Sequence, residues 1–292
     1  MIKNWFRRIR YILKIVYRLV RFKNLLILAF SQLFVAVFLV GRTLPLRSVV
    51  FDPGLFVLIL STVFIAAGGY VINDYYDIKI DVINKPQRVT VGRYFNRRIA
   101  MVAHFVFSAL GIALVVFIGW IFIIINFFSS FLLWFYSNLL KRLPFAGNFC
   151  VAVLSGLAVF LPSLYFGEAI LLGGIYAFFA FFISLIREII KDMEDMKGDA
   201  NFGCRTLPIV LGIRKAKKII YFITALFTGF LVYSSVSVGL TLFLSLLILV
   251  VFPVIYLMFR LSRADTIKDY AFLSSVCKFI MLSGLMSMIF IE

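Results

Sequence analysis

Nine apolar stretches, at 24–41, 54–72, 100–118, 121–139, 148–166, 169–187, 218–236, 239–258 and 271–290, dominate this chain. Each has the roughly 17–25 residues that a helix needs to cross a bilayer. Within lipid, backbone polar groups must be satisfied inside the segment itself, so a chain of this pattern folds as a bundle of helices. The apolar content of 63% and a mean hydropathy of +1.07 lie far above those of a soluble domain. The expected fold class is all-α, a polytopic membrane protein with about nine transmembrane helices. No Ser/Pro/Gly-rich linker or low-complexity tract divides it, so residues 24–292 read as a single transmembrane domain behind an N-terminal arm, 1–23.

Charge sets the expected orientation, because Lys and Arg concentrate in cytoplasmic loops. Of the 30 basic residues, all but Arg42, Arg47 and Lys278 precede the first stretch or stand at the end of, or beyond, the second, fourth, sixth and eighth. The N-terminus is therefore expected in the cytoplasm and the C-terminus outside, in the cell inner membrane. A net charge of +17 without a compact basic domain excludes nucleic acid as a partner. The excess fits orientation and attraction to anionic lipid. Residues 1–23 interleave Lys3, Arg7, Arg8, Arg10, Lys14, Arg18, Arg21 and Lys23 with large apolar side chains, the pattern of an interfacial amphipathic helix rather than a cleaved signal peptide. Cys150, Cys204 and Cys277 share no metal-ligand spacing and read as packing residues.

Against this hydrocarbon background one acidic spacing occurs twice: Asp74, Asp77 and Asp81, then Asp192, Asp195 and Asp199. Positions i, i+3 and i+7 share one face of a helix over about two turns. Clustered carboxylates repel each other unless cations sit among them. An all-oxygen set suits Mg2+, which keeps some waters and binds substrate phosphates through its remaining positions. Each run follows an even-numbered span, in a loop rich in basic residues, so counter-charge for phosphate lies nearby. An amphiphilic substrate could rest its tail among the helices while its head meets metal at their mouth. Glu188 extends the second acidic face by one turn, and Pro86 is expected to end the first helix. Arg88, Arg93, Arg97 and Arg98 lie in or near the loop beyond. Lys141 and Arg142, in a short loop between the runs, suit a diphosphate and equally suit positive-inside anchoring. His104, alone in an apolar span, reads as a packed residue.

At these positions the chain resembles the UbiA superfamily of intramembrane prenyltransferases. Asn73-Asp74-x-x-Asp77-x-x-x-Asp81 looks like the family's first aspartate motif and Asp192-x-x-Asp195-x-x-x-Asp199 like its second. The resemblance implies nine helices around a central cavity with a cytoplasmic polar cap, and an active site facing the cytoplasm. It implies that the six aspartates are catalytic, with Asp74, Asp77, Asp192 and Asp195 as Mg2+ ligands, and that Asn73, Arg88, Lys141 and Arg142 assist with the substrate diphosphate. Ile83-Asn84-Lys85-Pro86 and the Arg187 to Asp199 segment look most like the digeranylgeranylglyceryl phosphate synthase branch, which moves a geranylgeranyl group to geranylgeranylglyceryl phosphate in ether-lipid synthesis. That branch often places Arg-Pro after Asn-Lys-Pro, whereas here Arg88 is followed by Val89.

The reading is an Mg2+-dependent transfer of a prenyl group from an isoprenyl diphosphate to a lipophilic acceptor, with membrane lipid as surroundings and no obligate protein partner evident. Glu188 is a candidate for the base that takes the acceptor's proton. An aromatic acceptor, as in quinone or haem biosynthesis, is the alternative, since the aspartates read the donor rather than the acceptor. A cation transporter is the remote one, and its acids would be expected nearer the bilayer midplane.

Overall fold

The computed structural model describes residues 10, 13–87 and 89–291, with backbone alone at 235–238. Among these, nine helices are long and apolar enough to cross a membrane. We number them α1 (Phe22–Phe38), α2 (Pro53–Asn84), α3 (Arg97–Val115), α4 (Trp120–Asn138), α5 (Ala146–Phe166), α6 (Ile170–Asn201), α7 (Ile213–Val238), α8 (Leu240–Ser262) and α9 (Ile267–Met286). The expected all-α class holds. The expected ends at 72 and 187 fall short, because α2 and α6 each continue to 32 residues. Hydropathy marks where lipid stops, whereas a helix runs on until something breaks it. In α2 the break comes just before Lys85-Pro86, as proline requires. In α6 it comes at Gly203, whose φ of +72° is left-handed, with the Cys204 N–H donating to the Asp199 carbonyl at 3.0 Å.

By internal contacts the chain forms two compact units. The first comprises residues up to Ala29 together with Phe56–Leu139. It opens on a helical stretch over 13–19, where Lys14 and Arg18 are exposed while Ile15 and Leu19 are buried. Leu13, Val16 and Tyr17 are exposed there as well; residues 1–9, 11 and 12 lie outside the described residues. Leu19, Val20 and Leu25 pack with Ala67 and Val71 of α2 and with Ala100 of α3. Gly68 and Gly69 let α2 approach its neighbours closely. A Cβ on Gly69 would lie 2.8 Å from Leu133 of α4, and one on Gly68 3.3 Å from the His104 carbonyl of α3.

The second unit comprises Phe30–Leu55 and the chain from Leu140 onward. Its core centres on α6, whose Ile183, Ile186, Ile189 and Ile190 are fully buried and which packs against α5, α7 and α9. Two prolines inside its spans each leave a carbonyl four residues back without a backbone donor. In both cases a neighbouring helix supplies one. Opposite Pro162, Gln32 Nε2 of α1 donates to the Ala158 carbonyl at 2.9 Å. Before Pro253, where the helix widens into a π turn over Leu247–Val251, Ser283 Oγ of α9 donates to the Leu249 carbonyl at 2.6 Å. Such borrowed donors let broken helices persist in lipid.

Candidate active site

The two aspartate runs occupy equivalent places on the two longest helices. Asp74 and Asp192 each lie about 21 residues from the start of a helix, roughly 32 Å along it at 1.5 Å per residue, or about one hydrocarbon thickness. Both helices are unbroken through their third aspartate, so each run presents its carboxylates along one face.

In the first unit Asp77 is buried at 3% exposure and accepts a hydrogen bond from Asn73 Nδ2 at 2.6 Å, an i, i+4 pair on α2. Asp74 is held from outside its helix. Arg21 Nη2 donates to its Oδ1 at 3.0 Å, while the guanidinium carbon stands 5.0 Å from the centre of the Tyr70 ring. Asp81 is partly buried one turn beyond. Arg97, in the first turn of α3, lies over the ring of Tyr75 at 4.8 Å and so stays beside the run. Arg88 lies outside the described residues.

In the second unit Asp192 accepts from Asn148 Nδ2 at 2.8 Å. Asn148 stands in the first turn of α5, just after the loop that carries Lys141 and Arg142 in a 3-10 turn, Leu140–Arg142. That loop is tied to the chain beyond α6, because the Arg205 N–H donates to the Arg142 carbonyl at 2.8 Å. The structure thus brings the expected diphosphate-binding basic pair to the same end of the unit as the second run. Asp195 is partly buried and Asp199 is 2% exposed. Glu188 is buried and paired with Arg187. His104 is 3% exposed with Nδ1 3.1 Å from the Gly68 carbonyl, a packed and hydrogen-bonded residue as expected.

Among the described residues no three acidic, His or Cys side chains converge into a ready-made cation cage. The donor chemistry nevertheless fits Mg2+. Both runs offer carboxylate oxygens, and Asp74, Asp77 and Asp192 are held by an arginine and two amides. Two of these partners carry no sign in the sequence: Arg21 is one basic residue of the arm, and Asn148 opens the fifth apolar stretch.

Residues 33–282 match the model of the UbiA prenyltransferase family. The digeranylgeranylglyceryl phosphate synthase of Korarchaeum cryptofilum is 33% identical over 245 residues, covering 82% of this chain and 86% of that one. That of Thermococcus gammatolerans is 39% identical over 179 residues, which are 59% of this chain and 63% of the relative's length. Among solved structures, one of a digeranylgeranylglyceryl phosphate synthase in membranes superposes with a TM-score of 0.71 at 25% identity, covering 95% of this chain and 97% of that one. A UbiA homologue from Archaeoglobus fulgidus bound to GPP and Mg2+ shares the fold, with a TM-score of 0.63 at 18% identity over 94% of this chain and 99% of that one.

Proposed function

The chain belongs to the UbiA prenyltransferase family, an integral-membrane family, and from that premise we propose that it transfers a prenyl group from an isoprenyl diphosphate to a lipophilic acceptor. The donor is geranylgeranyl diphosphate and the acceptor geranylgeranylglyceryl phosphate. One observation carries this reading: the same three-aspartate spacing recurs at the same distance along two 32-residue helices. The similarity to synthases of that name supports the choice of acceptor.

In this reading Asp74, Asp77, Asp192 and Asp195 hold Mg2+, and Asp81 and Asp199 complete each acidic face. The bound metal would supply positive charge against the diphosphate as it departs. Asn73 and Asn148 orient the carboxylates that they touch, at 2.6 and 2.8 Å. Lys141, Arg142 and Arg88 meet the phosphate oxygens. The bond between C1 of the prenyl chain and the diphosphate oxygen breaks, and C1 bonds to the acceptor's hydroxyl oxygen. The hydroxyl proton passes to the pyrophosphate, which leaves. The apolar spans around the chain's path exclude water that would otherwise take the prenyl group. Residues 24–292 act as one prenyltransferase domain in the cell inner membrane, with the N-terminus and the diphosphate end of the site on the cytoplasmic side.

The test is direct: purified protein, Mg2+ and labelled geranylgeranyl diphosphate, offered separately geranylgeranylglyceryl phosphate, 4-hydroxybenzoate and a naphthoate. Label is expected in the first. Label in an aromatic acceptor instead replaces the acceptor assignment, and label in none of the three overturns prenyl transfer to these classes.

A further inference from the structure

We propose that Arg21 is an exchangeable cation at the first aspartate run: it holds Asp74 while no divalent ion is bound, and turns to a phosphate oxygen of the donor when one is. The inference rests on the prenyl-transfer reading above and adds to it a diphosphate-binding residue from the N-terminal arm.

Three features of the first unit place Arg21 there. Its Nη2 lies 3.0 Å from Asp74 Oδ1, and its guanidinium stands over the Tyr70 ring at 5.0 Å. Tyr70 and Asp74 are four residues apart on α2, so a single planar group spans one turn of the acidic face. The backbone at Arg21 has a φ of +51°, the left-handed region that favours glycine. Glycine there would relieve the strain and lose the guanidinium. Such strain is characteristic of positions where a side chain is held for a task, and Leu19, Val20 and Leu25, all buried, fix the turn from both sides. The Arg21 side chain is 33% exposed while that of Asp74 is 13% exposed, so the arginine is the more open of the two to a ligand arriving from solvent.

The exchange follows from charge and geometry. Three carboxylates on one face repel each other, and Arg21 offsets part of that repulsion. An oxygen already accepting from a guanidinium is a poorer ligand for Mg2+, so cation and arginine compete for Asp74. A displaced guanidinium keeps the Tyr70 ring as a support, and its fork of donors matches phosphate. A divalent ion at the run would bring a diphosphate within reach of that fork.

Competition gives the two partners opposite signs. The full-length protein in detergent is titrated with Mn2+ alone, read by its electron paramagnetic resonance, and then with inorganic pyrophosphate at saturating Mn2+, read by calorimetry. Arg21→Gln is expected to bind Mn2+ alone about threefold more tightly and pyrophosphate about tenfold more weakly, the loss of one charge-assisted contact. Arg21→Lys, which keeps the charge without the fork, is expected between the two and serves if the glutamine variant does not fold. A purely structural brace would move both affinities the same way or neither, and either result overturns the proposal. Wild-type protein that binds neither Mn2+ nor pyrophosphate would instead overturn the prenyl-transfer reading. Wild type binding both, with the variants unchanged, removes the role of Arg21 alone.

Discussion

Asn148 Nδ2 donates to Asp192 Oδ2 at 2.8 Å, linking the first turn of α5 to the start of the second aspartate run. The amide leaves the other oxygen lobe of the carboxylate for a further partner and fixes its plane. Outer partners of metal-binding carboxylates are worth about 10–100-fold in affinity or activity. Asn148→Leu is therefore expected to lower turnover by about that factor and to raise the Mg2+ concentration needed for half-maximal rate. An unchanged Mg2+ titration in a folded Asn148→Leu protein would mean that Asp192 does not serve a cation.

Removing an aspartate from either run should be more severe. Asp74→Ala and Asp192→Ala are each expected to lose roughly 100-fold or more of turnover, with the protein still recovered from the membrane fraction. Chelation by EDTA should stop the wild-type reaction, and Mg2+ should restore it. Ca2+ should restore it poorly, because its bonds to oxygen are longer, about 2.3–2.6 Å against 2.0–2.1 Å. Full activity of both variants under EDTA would dismiss the metal-dependent mechanism.

What the sequence discloses is what depends on local spacing. Nine apolar stretches and two i, i+3, i+7 runs are local patterns, and so is the Asn73–Asp77 pair, four residues apart on one helix. The contacts of Arg21 with Asp74 and of Asn148 with Asp192 join residues 53 and 44 positions apart. No periodicity encodes them; they arise from how helices pack. Arg21 was legible only as one basic residue of an amphipathic arm, since its left-handed turn has no glycine to announce it. The ends of α2 and α6 were missed for another reason. Hydropathy falls at Asn73 and at Arg187-Glu188, yet polar side chains continue a helix as readily as apolar ones until Pro86 and Gly203 intervene.

Glycines within the spans divide into two kinds, which gives a stability prediction. A Cβ on Gly156 of α5 would stand 2.8 Å from the Ala177 carbonyl oxygen of α6, a backbone atom that cannot swing aside. Gly156→Ala is expected to cost about 1–3 kcal/mol, by forcing apart the helix pair on which Asn148 and Asp192 meet. A Cβ on Gly229 of α7 meets nothing within 4 Å. Gly229→Ala should be neutral or stabilise by up to about 1 kcal/mol through helix propensity. Thermal unfolding of the two variants in the same detergent separates them, and equal midpoints would contradict the close approach of α5 and α6.

Gln32 and Pro162 form a compensating pair that can be tested by restoring the backbone it replaces. Pro162 has no N–H for the Ala158 carbonyl, and Gln32 Nε2 donates to that carbonyl from α1. Gln32→Leu leaves the carbonyl with no donor in an apolar surrounding, a loss expected at about 0.6–1.7 kcal/mol for a polar contact between membrane helices. Pro162→Ala supplies a backbone N–H four residues along, able to bond the same oxygen. In the double variant the glutamine's donor is redundant, so Gln32→Leu should cost less there than in the wild type. A double-mutant cycle on unfolding in detergent measures this difference. Strict additivity would show that Gln32 stabilises α5 by some route other than the Ala158 carbonyl.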